Sequence, residues 1–334
     1  MSKFMKDMLE QPEAVRKLIS TSDVTSAKAE GLDFHKVLFT GMGASLHAAE
    51  VAASYLRSSG IDAVSAEMSE IISYASDELL KRYTTIFLIS QSGESAELIR
   101  FIQDNRDLLR RMALITNSCQ SSASKHFPDD RVFLLNAGDE RSMGATKTFV
   151  NSMVLMLIIA ASKTARRMDF SKLPSRMEEA LTLDVSWLAS LLSESRERIL
   201  VARGFGIGVG RMARLMFAEV AKISLIFYTG AAFRHGPVEL LIDKPVVLTL
   251  NPTGATYDLM KELHSDISDK CDLITLSNSR EESVETVFTS EGLDEVLASI
   301  PMMNVLQKTV EEIARKRGFD PGAGVYGKKV TTKE

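Results

Sequence analysis

The sequence predicts an α/β protein built from two tandem, doubly wound parallel-sheet domains joined by helical connectors. Short apolar runs alternate with helical patterns along most of the 334-residue chain, which is long enough for two domains. The opening unit also recurs, since residues 37–56 are echoed by 199–222 and residues 86–100 by 246–260. The same order of strand, small-residue turn and helix in both halves favours a duplicated domain.

The first domain is expected to span residues 31–165, after an N-terminal helix over residues 1–30. Four apolar runs in it predict strands: KVLFT at 36–40, TTIFLIS at 84–90, RMALITN at 111–117 and RVFLLN at 131–136. The longest apolar stretch, MVLMLIIAAS at 153–162, is too short to cross a bilayer and predicts a buried helix.

The rhythm of strands breaks after the first domain. Residues 147–197 are expected to be helical nearly throughout, with an interruption at Pro174. Residues 166–196 are therefore predicted to be a helical connector, residues 197–316 the second domain and residues 317–334 a C-terminal tail.

Composition excludes several classes of protein. The net charge of −4 and the pI near 5.9 offer no basic surface for nucleic acid. The N-terminus lacks the apolar core of a signal peptide, and no segment suits a membrane. Cys119 and Cys271 are far apart, so they suit the reducing cytoplasm better than a disulfide framework. Neither the cysteines nor the histidines show ligand spacing, and we expect no metal site.

The segment ISQSGESAEL at 89–98 places serines and a glycine where a strand passes into a helix. Such a turn suits an anion, because the helix N-terminus supplies free N–H groups and the hydroxyls add donors. The alternative is that Ser92 or Ser95 only caps the following helix. The turn by itself does not decide between these two roles.

Glycines after the first strand of each half invite comparison with dinucleotide-binding proteins. GMGASL and GFGIGVG do not complete the usual fingerprint, and the first half lacks a suitable acidic residue after its second strand. We therefore expect no nicotinamide cofactor, and no other cofactor is indicated.

An acidic residue interrupts an apolar helical face in RMARLMFAEVAKIS. Glu219 shares that face with four apolar residues: Met212, Leu215, Met216 and Ile223. Burial there would raise the pKa of its carboxyl group, as a general acid or base near neutrality requires. The alternative is an ion pair with Arg234, Lys222 or another basic group.

The next segment, YTGAAFRHGPVELLID at 228–243, is predicted to be a loop by its Gly and Pro residues. His235 lies in it between Arg234 and Gly236, which indicates a position near the surface.

Taken together, these motifs resemble the sugar isomerase (SIS) family, whose domains are flavodoxin-like. The resemblance covers the chain from about residue 30 to its end and depends on GMGAS, SQSGES, GATKTF, the helix with Glu219 and RHGP. It is strongest to the isomerase half of glucosamine-6-phosphate synthase and to stand-alone relatives that deaminate or deglycate phosphosugars.

The resemblance assigns roles to individual residues. The phosphate of a 6-phosphosugar would be held by Ser90, Gln91, Ser92 and Ser95, with Ser45 as a further contact. Glu140 and the backbone at Met143 would lie near the sugar. Glu219 would move a proton between adjacent sugar carbons, and His235 would open the sugar ring from the other subunit of a homodimer.

The sequence also departs from the family. Where the synthase has a lysine one turn before the catalytic glutamate, this chain has Met216. The tail that closes over the sugar reads PGAGVYGKKVTTKE, in which Lys328 is the better match to the family's lysine and Lys329 the alternative. We expect no glutaminase domain, because a helix alone precedes the first α/β unit.

The leading hypothesis is an enzyme that releases an amine from a 6-phosphorylated amino sugar or a 6-phosphofructosamine. The alternatives are an aldose–ketose phosphosugar isomerase and a non-catalytic sugar-phosphate sensor. A sensor needs the phosphate turn but no acid, so Glu219 favours the enzyme. Neither the amine nor the configuration of the sugar follows from the sequence.

Overall fold

A computed structural model describes residues 1–281, 284–327 and 329, and ten strands form two five-stranded sheets in this part of the chain. The first sheet contains β1 (Lys36–Gly41), β2 (Asp62–Glu67), β3 (Thr85–Ile89), β4 (Met112–Thr116) and β5 (Val132–Leu134). The second contains β6 (Arg198–Ala202), β7 (Ile226–Thr229), β8 (Val246–Leu250), β9 (Asp272–Ser277) and β10 (Glu285–Phe288).

The two sheets share one topology. The strand orders are β2-β1-β3-β4-β5 and β10-β9-β8-β6-β7, and every pair of neighbours is parallel. In each half the second strand lies at the edge beside the first, and the chain then crosses to the other side of the first strand. The prediction of two tandem doubly wound domains is confirmed.

Fourteen α-helices surround these strands in the described residues. Those before and within the first half are α1 (Lys3–Leu9), α2 (Gln11–Ser20), α3 (Ser22–Glu30), α4 (Gly43–Ser58), α5 (Met68–Tyr74), α6 (Asp77–Leu80), α7 (Ala96–Asp104) and α8 (Lys147–Ser162). The others are α9 (Leu173–Thr182), α10 (Ser186–Glu194), α11 (Gly206–Met216), α12 (Gly230–Arg234), α13 (Tyr257–Ile267) and α14 (Glu295–Lys316).

Two helical predictions need correction. The single helix expected over residues 1–30 is three helices, because Pro12 cannot donate the backbone hydrogen bond that would continue α1 into α2. The region 147–197 holds α8, α9 and α10, with non-helical residues between them. Pro174 does not interrupt a helix there; it occupies the first turn of α9, where its missing N–H costs nothing.

The predicted buried helix over residues 153–162 is confirmed as part of α8, whose side chains are buried from Lys147 to Ala160. Four strands escaped sequence analysis: β2, β7, β9 and β10. Three of these, β2, β7 and β10, lie at sheet edges and are half-exposed. β2 and β10 lack the continuous apolar run of a central strand, and the short apolar run of β7 directly precedes the glycines that predict a loop.

Two compact units are present, and each is discontinuous in sequence. One contains the first sheet and comprises residues 13–140 and 145–169 and the end of the chain from Tyr326; the other contains the second sheet and comprises residues 1–12, 141–144 and 170–325. We call them the first-sheet unit and the second-sheet unit. The sequential boundaries 31–165 and 197–316 remain predictions, and the two sheets lie within them.

Each unit has its own apolar core. In the first-sheet unit, side chains of β1, β3 and β4 meet those of α5 and α7, among them Leu38, Leu88 and Phe101. In the second-sheet unit, residues of β6 and β8 pack with α13, among them Val201, Val247 and Leu263. Within the described residues, no helix combines the length and apolar character needed to cross a bilayer.

Candidate functional site

The serine-rich turn follows β3 at the carboxyl edge of the first sheet, and Ser45 lies beside it in the first turn of α4. Gly41, the last residue of β1, explains this closeness. A Cβ atom there would lie 2.7 Å from the carbonyl oxygen of Ile89 and 3.1 Å from the Ser45 Cβ. The strand order reverses between β1 and β3, which is where doubly wound sheets bind ligands.

The segment that follows β4 binds the serine-rich turn through two backbone hydrogen bonds. The carbonyl oxygen of Gln91 accepts a hydrogen bond from the Asn117 N–H at 3.0 Å, and that of Gly93 accepts one from the Ala123 N–H at 3.1 Å. Gly93 has a φ of 66°, and a Cβ there would lie 2.2 Å from the Ser121 hydroxyl oxygen, so only glycine fits.

Glu94 gives the turn a second attachment. Its carboxylate accepts a hydrogen bond from the Ser122 N–H at 2.7 Å. This bond, the largest influence on the group, holds the pKa of Glu94 below its ordinary value. The only acid in the turn is therefore turned to a neighbouring loop and stays ionised.

In the part of the chain that the structure describes, the hydroxyls of Ser90 and Ser92 accept hydrogen bonds within the turn and donate none. The Ser90 hydroxyl accepts from the Gly93 N–H at 3.2 Å, and the Ser92 hydroxyl accepts from the Glu94 N–H at 3.1 Å. Each hydroxyl retains its hydrogen for donation to an anion. Binding of phosphate by these groups remains a prediction.

The capping alternative holds for the position of Ser95 but not for Ser92. Ser92 lies outside the helix, and its hydroxyl binds within the turn. Ser95 occupies the N-cap position of α7, but across the described residues its side chain makes no capping hydrogen bond.

Glu140 organises the start of α8. Its carboxylate accepts hydrogen bonds from the Thr146 N–H at 2.8 Å, the Thr148 N–H at 3.0 Å and the Thr148 hydroxyl at 2.6 Å. The Lys329 ammonium lies 3.2 Å from the same carboxylate and donates to the Glu140 carbonyl oxygen at 2.7 Å. Lys328, the tail residue preferred from the sequence, lies outside the described residues.

Glu219 lies in a π-helical turn, Phe217–Ala221, that continues α11. The turn ends at Lys222, which adopts a left-handed conformation with φ 57°, and the Ile223 N–H bonds back to the Phe217 carbonyl at 3.1 Å. The single α-helical face predicted through Ile223 is therefore wrong beyond Met216. The wider turn changes the side-chain spacing, and π-helical turns of this kind occur frequently at functional sites.

Burial changes the acidity of Glu219. Removal from water raises the pKa of its carboxyl group to about 6, while the positive charge of Lys222 opposes the shift. The ammonium of Lys222 is held by two carbonyl oxygens, those of Glu219 itself and of Ala323. Arg234, the other proposed partner, pairs with Asp266.

Across the described residues, no ion pair reaches the Glu219 carboxylate. The described residues therefore do not support the alternative that Glu219 forms a structural ion pair. A carboxyl group with a pKa near 6 that is desolvated and unpaired suits proton transfer near neutrality.

His235 is exposed, as the sequence predicted. The loop predicted around it is instead β7, α12 and a 3₁₀ helix, Pro237–Asp243. His235 caps the end of α12, its N–H donating to the Ala232 carbonyl at 3.1 Å, and Gly236 follows with φ 124°. That sharp turn presents the imidazole outward.

The sequence-predicted residues divide between the two units. Ser45, the serine turn, Glu140 and Lys329 belong to the first-sheet unit, and Met143, Glu219 and His235 belong to the second-sheet unit. The Met143 N–H donates to the Gly322 carbonyl at 3.1 Å, which fixes the backbone at that position.

Sequence analysis missed a cavity of about 770 Å³ beside the ends of β4 and β5. Its lining comes from three separate segments of the first-sheet unit: Lys17, Ser20, Thr21, Asn117, Asn136, Gly138 and Asp139. It also missed Asp7, a fully buried acid in α1. Among the described residues, no group of three or more acidic, histidine or cysteine side chains could hold a metal ion.

Comparison with known proteins identifies a family model over part of the chain. Residues 32–162 match the SIS domain, which includes all of the first sheet and the serine turn. The resemblance to this family is therefore confirmed.

A glutamine–fructose-6-phosphate aminotransferase (isomerizing) from Thermococcus kodakarensis is 25% identical over 336 residues. The alignment covers 95% of this chain and 56% of that relative. The chain thus spans little more than half the length of the relative.

Solved structures share the fold of the whole chain. The C-terminal domain of glucosamine-fructose-6-phosphate aminotransferase from Francisella tularensis matches with a TM-score of 0.83 and 19% identity, covering 96% of this chain and 98% of that one. Glucosamine-6-phosphate deaminase from Thermotoga maritima matches with a TM-score of 0.78 and 19% identity, covering 99% of this chain and 100% of that one. At this level of identity the likeness establishes the fold alone.

The first prediction concerns the serine turn. Ser92→Asp places a negative charge among the donors of the turn, so binding of fructose 6-phosphate should weaken by about tenfold or more, roughly 1.4 kcal/mol. Ser73→Asp is the matched control, because Ser73 is exposed on α5 and bonds only within its helix. Isothermal titration calorimetry measures both; equal affinities for the two folded variants would exclude the turn as an anion site.

The second prediction concerns Glu219. Its side-chain carboxyl should titrate near pH 6 in a carbon-13 NMR experiment, and Glu219→Gln should remove that resonance. Because the folded state keeps a proton that the unfolded chain has released, the contribution to stability falls as pH rises from about 4.5 to about 6. Glu219→Gln should flatten this part of the stability curve. A titration near 4.5 would show that the carboxyl group is hydrated.

Proposed function

We propose that this chain, whose residues 32–162 form a SIS domain, is an enzyme that releases an amine from a 6-phosphorylated amino sugar or a 6-phosphofructosamine. The observation that carries the proposal is the desolvated carboxyl group of Glu219, which has a pKa near 6 and meets no ion-pair partner among the described residues. A sugar-phosphate sensor needs an anion site but has no use for such a group.

The proposed reaction is a proton transfer followed by hydrolysis. Glu219 removes a proton from one of the carbons C1 and C2 and returns it to the other, which converts the carbon–nitrogen bond into an imine. Water then adds to the imine carbon, and the amine leaves with a proton as the carbonyl forms. The products are a hexose 6-phosphate and a free amine, and no oxidant or reductant is consumed.

The other residues contribute binding and ring opening. The serine turn would hold the phosphate with the hydroxyl hydrogens of Ser90 and Ser92 and with the N–H groups at the start of α7, which supplies positioning. His235 would open the ring by moving a proton between the ring oxygen and O1. Lys329, bound to Glu140, would close over the substrate with the tail.

Met216 supports amine release over simple isomerisation. Its side chain is fully buried, so an apolar group occupies the position at which the synthase-like pattern has a lysine. Lys222, one lysine that could replace it, donates its ammonium hydrogens to two backbone carbonyl oxygens. Burial raises the pKa of Glu219, and a protonated acid assists a departing amine.

We also propose that the enzyme is a cytoplasmic homodimer in which His235 serves the partner's substrate. The support is the exposure of His235 at the end of α12, together with the half-exposed edge strand β7 that leads into that helix.

The third prediction tests the reaction. Purified protein should release amine from glucosamine 6-phosphate or from an amine adduct of 6-phosphofructose, with a hexose 6-phosphate as the second product. Glu219→Gln should lower kcat by about 10²–10⁴-fold and change KM little, because the amide keeps the shape but cannot exchange a proton.

Three results would contradict this proposal in different ways. Rapid interconversion of plain aldose and ketose phosphates without amine release would indicate the isomerase instead. Phosphosugar binding without turnover of any substrate would indicate a sensor. Full activity of Glu219→Gln would remove the proposed proton carrier.

The fourth prediction concerns the homodimer. Glu219→Gln and His235→Ala are each expected to be inactive, but a mixture should regain up to about one quarter of wild-type activity after subunit exchange, since one pairing restores an intact site. Separately tagged subunits confirm the exchange by co-purification. Exchange without recovered activity would assign each site to one chain, and a monomer at micromolar concentration would contradict the dimer directly.

A further inference from the structure

Asp7 is a fully buried carboxylate in α1 that binds backbone. Its Oδ2 accepts hydrogen bonds from the N–H groups of Arg141 and Ser142, both at 2.8 Å. The Arg141 guanidinium lies 3.2 Å from Oδ1. A buried charge is tolerated only when donors surround it, and here the backbone of residues 141 and 142 supplies two donors.

Further hydrogen bonds fix the segment that Asp7 binds, Arg141–Gly144. The Ser142 hydroxyl donates to the Gly144 carbonyl at 2.8 Å, and the Met143 N–H donates to the Gly322 carbonyl at 3.1 Å. Ser142 is fully buried. The backbone of the segment therefore has one conformation defined by hydrogen bonds at successive residues.

This segment packs against the turn that carries Glu219. A Cβ at Gly144 would lie 2.6 Å from the Val220 Cγ2 and 3.2 Å from the Phe4 Cε2, so the glycine backbone is in direct contact with both side chains. Val220 follows Glu219 in the π-helical turn, and Phe4 lies one turn before Asp7 in α1. Helix α1 thus supplies both the carboxylate that holds the segment and an apolar surface against it.

We propose that Asp7 is a positioning residue for Glu219. Its carboxylate fixes Arg141–Gly144 against Val220, and the segment keeps the π-helical turn in place and limits the access of water to it. The inference rests on the proton-transfer role proposed above for Glu219. Asp7 itself touches no reacting atom in this scheme.

A purely structural role for Asp7 makes a different prediction. If Asp7 only stabilised the fold, its removal would lower the melting temperature and leave the properties of the folded enzyme unchanged. If Asp7 positions the turn, the folded variant should also show a lower kcat and a more hydrated Glu219. The pH profile of kcat and the hydrogen exchange of residues 141 and 142 separate these roles.

The fifth prediction compares Asp7→Ala with Glu10→Gln in the amine-release assay. Glu10 is the matched control, because its exposed carboxylate binds the same Arg141 guanidinium, at 3.3 Å, so Glu10→Gln alters a side-chain contact to the segment. Asp7→Ala should lower kcat about tenfold or more, since misplacement of a reacting group by about 1 Å can cost about 10²-fold. KM should change little, and Glu10→Gln should match the wild type.

Two further readouts accompany the rates. The apparent pKa near 6 in the pH dependence of kcat should move toward 4.5 in Asp7→Ala, because water reaches Glu219. Exchange of the Arg141 and Ser142 amides should become at least about tenfold faster. If Asp7→Ala does not fold, Asp7→Asn replaces it; one carboxylate oxygen is lost, and the same changes are expected at a smaller amplitude.

If the folded Asp7 variant keeps the wild-type kcat, or the wild-type apparent pKa in the pH dependence of kcat, the inference is overturned, even if the amides exchange faster. Glu219→Gln, run in parallel, separates this failure from that of the proposed function. A Glu219→Gln variant with wild-type turnover overturns both. A Glu219→Gln variant that is inactive beside a fully active Asp7→Ala overturns the positioning role alone.

Discussion

The parallel pairing of every strand is the constraint on which the rest of this protein depends. Parallel neighbours require a crossover, so each strand is followed by a turn at one edge of its sheet and then by a helix that covers a face. The serine turn after β3 and the start of α4 after β1 meet at such an edge, where the strand order reverses. The position of the candidate anion site is thus a consequence of the topology.

The same topology in the second sheet serves a different purpose. The turn after β8 reads NPTGAT, and its Ala255 N–H donates to the Glu295 carboxylate at 2.9 Å. A Cβ at Gly254 would lie 2.1 Å from that carboxylate, so the protein's own acid fills the place beside the turn. This half contributes Glu219 instead, through a π-helical turn that widens α11 at its end. The two halves thus share one sheet topology but carry different candidate functional residues.

Acidic side chains in this molecule differ sharply in their surroundings, and their surroundings define their roles. Asp7 and Glu140 are buried and surrounded by N–H and hydroxyl donors, so they hold backbone. Glu94 binds a neighbouring loop through one N–H. Glu219 is a half-buried acid whose pKa is raised by desolvation and which makes no ion pair in the described residues. That contrast separates the candidate proton carrier from the acids that organise the fold.

The sequence by itself determined the fold class, the duplicated order of elements, the serine turn and the exposure of His235. These follow from local apolar periodicity and from glycine and serine at strand ends, which act over a few residues. Half-exposed edge strands such as β2 and β10 did not follow, because they lack an apolar run, and the π-helical turn did not follow, because a widened helical turn has no sequence period. The tertiary structure alone decided that Asp7 holds residues 141–144, since hydrogen bonds between distant segments leave no periodic trace. It also decided that neither basic group proposed from the sequence pairs with the Glu219 carboxylate, because Arg234 binds Asp266 and Lys222 binds backbone carbonyls.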